Sequence, residues 1–333
     1  MSTPITFTTK VPYGTLNENF LRANLGNYSL AIDGNVVISA DTTLYRDMYY
    51  DTLTVNAVLN TNGFRIFANT ITGNNSGKIK GVTGNDGGDG GAGVSSPLTD
   101  GVAGVGGASS GSFFKTTPGG DGGVVTGVFG SGFQYAGQGT PATVYSMLGV
   151  TTSSGGTHIY ANGSSSGQSP THNFDFLKFS HLLLNGFDVI SGQYYKWFPQ
   201  PSAPGGAGGA RKDSGSGNAC GGGGGGGASG GLVFIWCKYW SGSFSIESIG
   251  GNGGDGGNYA SGSRWSMGGS GGAGGNGGTA VVVYAQKSWT GSYILTGGNG
   301  GNKGTSDGPS TASNGNNGAT GSYYEILAQS LIR

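Results

Sequence analysis

The residues best suited to bind a metal ion or to act as a nucleophile are three histidines and two cysteines. His158, His172 and His181 are not spaced as paired metal ligands, and the sequence contains no HExxH pattern. Cys220 and Cys237 do not make a disulfide framework, and Cys237 lies in an apolar run typical of a buried free thiol. These residues predict neither a metal centre nor a bound cofactor.

Three further patterns fall short of a catalytic or ion-binding motif. Residues 250–255, Gly-Gly-Asn-Gly-Gly-Asp, open like a glycine-rich calcium repeat, but that repeat needs a large apolar residue where Gly257 stands. The Gly-Ser-Gly at 215–217 lacks the spacing of a nucleophile elbow, and 302–305 has the wrong order for a phosphate loop. The acidic residues are scattered, so no carboxylate pair for glycoside cleavage is predicted. We therefore expect a protein that is not an enzyme.

Aromatic residues in or beside loops are the candidates for binding. Tyr259 and Trp265 interrupt a glycine-rich stretch, so we expect them on a loop between two of its segments. Tyr194, Tyr195 and Trp197 lie close to a Pro/Gly-rich connection. Aromatic faces provide contact area for a sugar or an outer-membrane protein at low entropic cost. Packing in a local core is the alternative for these five residues.

The composition argues for a folded protein that binds neither nucleic acid nor membrane. Of 333 residues, 75 are Gly and 10 are Pro, but aromatics make up 11% and cluster with Val, Ile and Leu into runs that can be buried. The 16 basic and 16 acidic residues cancel, so no basic stripe for phosphate is predicted. The first ten residues do not resemble a signal peptide, and no apolar run is long enough to span a bilayer.

The chain is predicted to be all-β, in three parts. Residues 1–32 form an N-terminal attachment segment and 33–80 a β-rich module. Residues 81–333 form a glycine-rich repeat domain with an inserted hydrophobic island at 146–198. In the module, short β-rich runs are separated by turn signals at 33–34 and 62–63. Such short runs indicate a β-solenoid or a β-sandwich-like arrangement, and stacked parallel coils are preferred because one run cannot bury a core alone.

A repeat relates residues 231–246 to residues 279–294. Each copy is followed by Gly-Gly-Asn-Gly-Gly, and a weaker third copy covers 64–91. The predicted unit is a buried strand, a tight glycine turn, a second strand forming a β-hairpin with the first, and a glycine tract. The alignment of the two clearer copies pairs Lys238 with Lys287, Trp240 with Trp289, and Gly242 with Gly291.

The glycine tracts have a period of three residues, written Gly-Gly-X. This period predicts packed polyglycine-II helices, which are left-handed and have three residues per turn. In such a helix every X side chain lies on one edge, and neighbouring chains can approach along the other two edges. The X positions are Asp86, Asp89 and Ala92 near the front, Asn252, Asp255 and Asn258 next, then Ala273, Asn276 and Thr279.

Across roughly 35–327, these tracts and the hydrophobic islands between them resemble the polyglycine-II tip adhesins of tail fibres in T-even-like bacteriophages. The resemblance implies a glycine-rich virion structural protein, made in the host cytoplasm, that recognises the host as a receptor-binding part of a tail or tail fibre. It implies a host surface protein or glycan as one partner and other virion proteins, bound through the N-terminal segment, as others; a homo-oligomer is compatible with it. A capsid decoration or head-fibre protein is the alternative.

Overall fold

The computed structural model describes residues 29, 31–95, 98–112, 116, 118–123, 220–260, 268–306 and 312–327. These residues form strands, turns and extended segments, and none of them is helical. The same ranges contain no helix that is long and apolar enough to cross a membrane. Most of the predicted segment 1–32 and the whole island 146–198 lie outside the described residues.

The described part of the chain contains strands of two to nine residues. In chain order they are β1 (Gly34–Ile38), β2 (Thr42–Thr43), β3 (Met48–Val55), β4 (Val58–Asn60), β5 (Ile66–Gly73), β6 (Lys78–Lys80), β7 (Val94–Ser95), β8 (Leu98–Thr99), β9 (Leu232–Trp240), β10 (Ser245–Glu247), β11 (Thr279–Lys287), β12 (Tyr293–Ile294) and β13 (Ser322–Leu327).

Two parallel sheets contain all of these strands except β7 and β8, which pair with each other in an antiparallel manner. The six-stranded sheet has the order β1-β3-β5-β9-β11-β13, and the five-stranded sheet has the order β12-β10-β6-β4-β2. Every neighbouring pair in both sheets is parallel. The prediction of an all-β protein is therefore confirmed.

Strands that follow one another within a repeat belong to different sheets, so the predicted β-hairpins are wrong. Residues 241–244 turn the chain out of β9 and into β10 of the other sheet, and 288–292 do the same between β11 and β12. Gly242 has φ of 89°, a left-handed conformation that favours glycine, so the tight glycine turn is real. Each strand pairs instead with the strand of the next repeat, which makes the pairing parallel.

The register of the two clear repeats differs from their sequence alignment by two residues. In the sheet Trp240 pairs with Lys287, and Ile246 pairs with Tyr293 in the other sheet. The structural offset is thus 47 residues, as in the two Gly-Gly-Asn-Gly-Gly segments, whereas the alignment of Trp240 with Trp289 has an offset of 49. A shift of two residues keeps every side chain on the same face of a strand, so the apolar pattern does not reveal it.

The apolar core lies between the two sheets. Leu53, Ile71 and Trp240 are successive register partners in the six-stranded sheet, and all three are fully buried. Ile79 and Ile246 are paired in the five-stranded sheet and are also fully buried. Burial of each such side chain stabilises the fold by about 1.5–3 kcal/mol relative to exposure. Stacking of successive repeats therefore builds one continuous core.

Both cysteines are buried and neither forms a disulfide, as expected for Cys237. The Cys237 side chain belongs to the core between the sheets, next to register partners Ala68 and Tyr284. Burial raises the pKa of its thiol well above the ordinary value. The thiolate is therefore suppressed, and Cys237 contributes packing rather than reactivity.

Aspartates tie successive repeats together where β3 and β5 begin. Asp33 accepts hydrogen bonds from the Tyr49 N–H (2.7 Å) and from the Arg46 guanidinium. One repeat later, Asp47 accepts from the Arg65 N–H (2.8 Å) and from the Arg65 guanidinium. The hydrogen bond from Arg46 lowers the pKa of Asp33. The same carboxylate–arginine arrangement thus holds the chain in place just before β3 and again just before β5.

The core tyrosine Tyr50 makes stability sensitive to alkaline pH. Burial raises the pKa of Tyr50 from 10.0 to about 12. Because the folded chain favours the neutral phenol, this contribution is complete below about pH 10 and is lost as the pH rises through the folded pKa. Between about pH 10 and 12, we expect the unfolding free energy of Tyr50→Phe to fall less steeply with pH than that of the wild type. The difference in slope should correspond to at most one proton released on unfolding, as measured by urea titrations at several pH values. Tyr45→Phe, which changes an exposed ring, is the control; equal slopes for wild type and Tyr50→Phe would contradict the prediction.

Candidate functional site

Eight glycine-rich extended segments, here called tracts 1 to 8, lie beside the strands. They cover residues 81–93, 100–108, 118–123, 220–231, 248–258, 268–278, 295–305 and 312–321. Tracts 1, 5 and 7 follow β6, β10 and β12, which are neighbours in the five-stranded sheet. Tracts 4, 6 and 8 precede β9, β11 and β13, which are neighbours in the six-stranded sheet. The two sheets therefore continue as two layers of tracts.

Hydrogen bonds between parallel tracts recur every three residues. The N–H groups of Gly250, Gly253 and Gly256 in tract 5 donate to carbonyl oxygens of tract 7 at 2.8–3.0 Å. The N–H groups of Gly84, Gly87 and Gly90 in tract 1 donate in the same way to tract 5, all at 2.8 Å. Even-numbered tracts run antiparallel to odd-numbered ones. For example, Gly251 and Gly254 of tract 5 donate to Ala228 and Gly225 of tract 4, so residue numbers rise along tract 5 as they fall along tract 4.

Tract 4 is the centre of this network. Its successive N–H groups donate to three different neighbours in rotation: Gly222 to tract 1, Gly223 to tract 3 and Gly224 to tract 6, each at 3.0 Å. The next three residues repeat the order at 2.8–2.9 Å. Carbonyl groups of tract 4 also accept hydrogen bonds from tracts 2 and 5. Five tracts therefore surround tract 4, and all of its residues are buried.

This packing explains the run of seven glycines at 221–227. A Cβ atom on Gly222, Gly224 or Gly225 would lie closer than 3.0 Å to a carbonyl oxygen of tract 2 or tract 5. Real Cβ atoms essentially never approach backbone so closely. Tract 6 is buried as well, but every third residue there carries a side chain: Ser270, Ala273 and Asn276. At the offset of 47 the equivalent residues of tract 4 are Gly223 and Gly226, which donate to carbonyl oxygens of tract 3, so a neighbouring backbone lies on that edge of tract 4 too.

The X residues of tracts 1, 5 and 7 form an exposed polar ladder. The Asp86 carboxylate accepts a hydrogen bond from the Asn252 N–H (2.6 Å), and the Asn252 amide oxygen accepts from the Asn299 N–H (2.8 Å). A parallel row follows three residues later, from Asp89 through Asp255 to Asn302. In each of these tracts, the N–H of the X residue does not donate to the backbone of another tract. Asn and Asp fit the X positions because their side-chain oxygens accept a hydrogen bond from the N–H of the X residue in the neighbouring tract. The three-residue period predicts that these side chains share one edge of a tract but does not predict their hydrogen bonds.

Four of the connections between tracts start and finish at the same end of the layers. Because odd and even tracts are antiparallel, tracts 1, 3, 5 and 7 all leave the layers at the end remote from the sheets. The chain rejoins tracts 2, 4, 6 and 8 at the same end, so the connections 94–99, 124–219, 259–267 and 306–311 start and finish there. The connection from tract 2 to tract 3 lies at the other end, where Ser112 donates to the Asn62 carbonyl (2.9 Å).

In the sequence, the five predicted binding residues belong to two connections that start and finish at this end. Tyr259 is half-buried at the end of tract 5, and its N–H donates to the Thr305 carbonyl (3.2 Å). Trp265 lies in the same connection, outside the described residues. Tyr194, Tyr195 and Trp197 lie in the connection 124–219 and are likewise outside them. Of the five residues, the structure therefore places Tyr259 alone at this end of the tracts.

A second group of aromatic residues lies beside the strands near β13, away from the end of the tracts where the four connections start and finish. Trp240 stacks on Trp289 with ring centroids 4.4 Å apart, and Tyr293 stacks on Tyr323 at 4.2 Å. The Tyr293 hydroxyl donates to Glu325 (3.1 Å), and burial together with the Glu325 charge raises its pKa. Three of the four rings are buried or half-buried. Trp240, Trp289 and Tyr293 thus belong to the apolar core or pack against it.

The described residues contain no group of three or more His, Cys, Asp or Glu side chains placed to hold a metal ion. Comparisons with protein-family models, with curated proteins and with solved structures gave no match for this chain.

Close packing of the tracts predicts that even one methyl group is destabilising there. A Cβ on Gly254 would overlap the Gly88 carbonyl oxygen. We expect Gly254→Ala to lower the free energy of unfolding by about 3 kcal/mol, the upper part of the range for overpacking. Thr296→Ala, at an exposed X position of tract 7, should change it by less than about 0.5 kcal/mol. Equal effects of the two substitutions in denaturant titrations would contradict the close-packed arrangement.

Proposed function

We propose that the strand pairs are coils of a β-solenoid and that the tracts are polyglycine-II helices. The solenoid is supported by the strictly parallel order of strands that alternate between two sheets. The helices are supported by tract 4, where three successive N–H groups donate to three different neighbours and the order then repeats. Three residues per turn is the geometry of a polyproline-II chain, which has no internal hydrogen bonds and offers all its amides to neighbours.

On this architecture the protein is a non-enzymatic structural component of a bacteriophage virion, and specifically a receptor-binding part of a tail or tail fibre. The observation that carries this proposal is the position of the connections: four of them start and finish at one end of a stack of hydrogen-bonded layers. A rigid scaffold that presents loops at one end suits recognition, because binding residues are commonly placed on loops held by a rigid framework.

The proposed partner at this end is a surface protein or glycan of the host. The five aromatic candidates, Tyr194, Tyr195, Trp197, Tyr259 and Trp265, belong to two of the connections. Flat aromatic faces bind sugars and protein surfaces with little loss of conformational entropy. The N-terminal segment would then join the protein to other virion proteins. The proposal includes no nucleic-acid partner and no insertion into a membrane.

Electron microscopy of virions labelled with an antibody against the full chain tests the location. Label confined to the tail or to the tips of its fibres is expected. Label spread over the head in many copies would reject the tail assignment in favour of a capsid decoration or head-fibre protein, and absence of label from virions would reject the virion assignment.

Adsorption to host cells tests the role of the loop end. We expect the purified chain to compete with virions for adsorption, and Tyr259→Ser with Trp265→Ser to weaken this competition by about tenfold or more. Tyr45→Ser is the matched control, since Tyr45 is an exposed tyrosine near the β1 end. A doubly substituted, folded chain that competes as well as the wild type would show that these two residues do not bind the receptor.

A further inference from the structure

The two layers of tracts end at tracts 7 and 8, and this edge differs chemically from every internal contact. Inside the layers, the Gly253 and Gly256 N–H groups of tract 5 donate to carbonyl oxygens of tract 7, both at 2.8 Å. With the repeat offset of 47, the equivalent groups of tract 7 are the N–H groups of Gly300 and Lys303. The described residues contain no further tract beside tract 7 that could accept these hydrogen bonds.

Side chains of tract 8 accept the two hydrogen bonds instead. The Gly300 N–H donates to Oδ1 of Asn317 (2.9 Å), and the Lys303 N–H donates to Oδ1 of Asn314 (2.9 Å). The two amide oxygens therefore satisfy the same donors that a carbonyl oxygen satisfies within the layers. Each asparagine oxygen therefore takes the place that a carbonyl oxygen of a further tract would have.

The positions of these asparagines are glycines wherever another tract follows. Tract 8 aligns with tract 6 at an offset of 43, as in the pairing of β11 with β13, so Asn314 corresponds to Gly271 and Asn317 to Gly274. A Cβ on Gly271 or Gly274 would overlap a carbonyl oxygen of tract 7. Asparagine is accommodated in tract 8 because the corresponding space beyond tract 7 holds no described tract, and both side chains are exposed.

We infer that Asn314 and Asn317 form a cap that ends the tract layers and prevents a second copy of this chain from stacking on the edge of tracts 7 and 8. The cap acts in two ways: it occupies the space that a further glycine tract would need, and it satisfies the donors that would bind that tract. Unpaired backbone edges otherwise promote association, and proteins block them with polar side chains. This inference concerns assembly at the edge and is independent of the proposed receptor binding.

The double variant Asn314→Gly/Asn317→Gly tests the cap by removing both the obstruction and the acceptors. We expect the full-length variant to self-associate at concentrations at which the wild type does not change its mass, with an association constant at least about tenfold higher in analytical ultracentrifugation. A folded double variant that associates no more than the wild type would overturn the inference.

Two control variants separate the cap from general weakening of the tracts. Asn252→Gly removes an equivalent side-chain acceptor inside the layers, where Asn252 Oδ1 binds the Asn299 N–H, but it leaves the edge blocked. Asn314→Asp/Asn317→Asp keeps an acceptor oxygen at each position, as Asp86 and Asp255 do elsewhere. Both controls should keep the mass of the wild type. Association of either one to the same extent as the double glycine variant would overturn the inference.

Single variants provide a test that does not depend on association. Amide hydrogen exchange of Lys303 should accelerate at least about tenfold in Asn314→Gly, while exchange of Gly300 changes little; Asn317→Gly should give the reverse result. This measurement decides the case if the double variant fails to fold. Unchanged exchange at both amides in both folded single variants would overturn the assigned hydrogen bonds and with them the cap.

Discussion

The approach of one backbone to another without intervening side chains is the constraint on which this structure depends. In the tract layers, N–H and C=O groups of neighbouring chains meet directly, as between Gly225 and Gly88 at 2.9 Å. A Cβ at most of these positions would overlap a carbonyl oxygen, so glycine is required there by space rather than by backbone conformation. The composition of the chain, the three-residue period and the glycine run of tract 4 all follow from this single requirement.

Glycine tracts alone would not specify the register in which neighbouring tracts pair. They lose much conformational entropy on ordering, and they have few side chains that distinguish one register from another. The strands supply this information, because a one-residue slip would expose core residues such as Ile246 and Trp240. The offset of 47 set by β10 and β12 continues unchanged through Asn252 and Asn299 of the adjoining tracts. Strand packing thus sets the alignment on which the tract hydrogen bonds depend.

Part of this fold is predictable from the sequence because local signals carry it. Alternating apolar runs indicate strands, and Gly-Gly-X spacing indicates segments that pack closely along two edges. The pairing of strands is not local, however: a turn signal such as Asn62-Gly63 marks a change of direction but not the sheet that the next strand joins. The repeat alignment of Trp240 with Trp289 fails for a related reason, since a shift by two residues preserves the face of every side chain. Prediction from sequence is limited in the same way at the end of the tracts where the connections start, since the spacing of Tyr259 and Trp265 does not reveal that tracts alternate in direction.

Tract packing also has a thermal consequence. Most of the surface that the tracts bury belongs to peptide groups, whose exposure lowers the heat capacity, whereas exposure of apolar surface raises it. Unfolding this protein should therefore increase the heat capacity less per residue than unfolding an ordinary globular domain. Its stability curve should be correspondingly flat, so that the fold tolerates cold better than a protein stabilised by apolar burial alone.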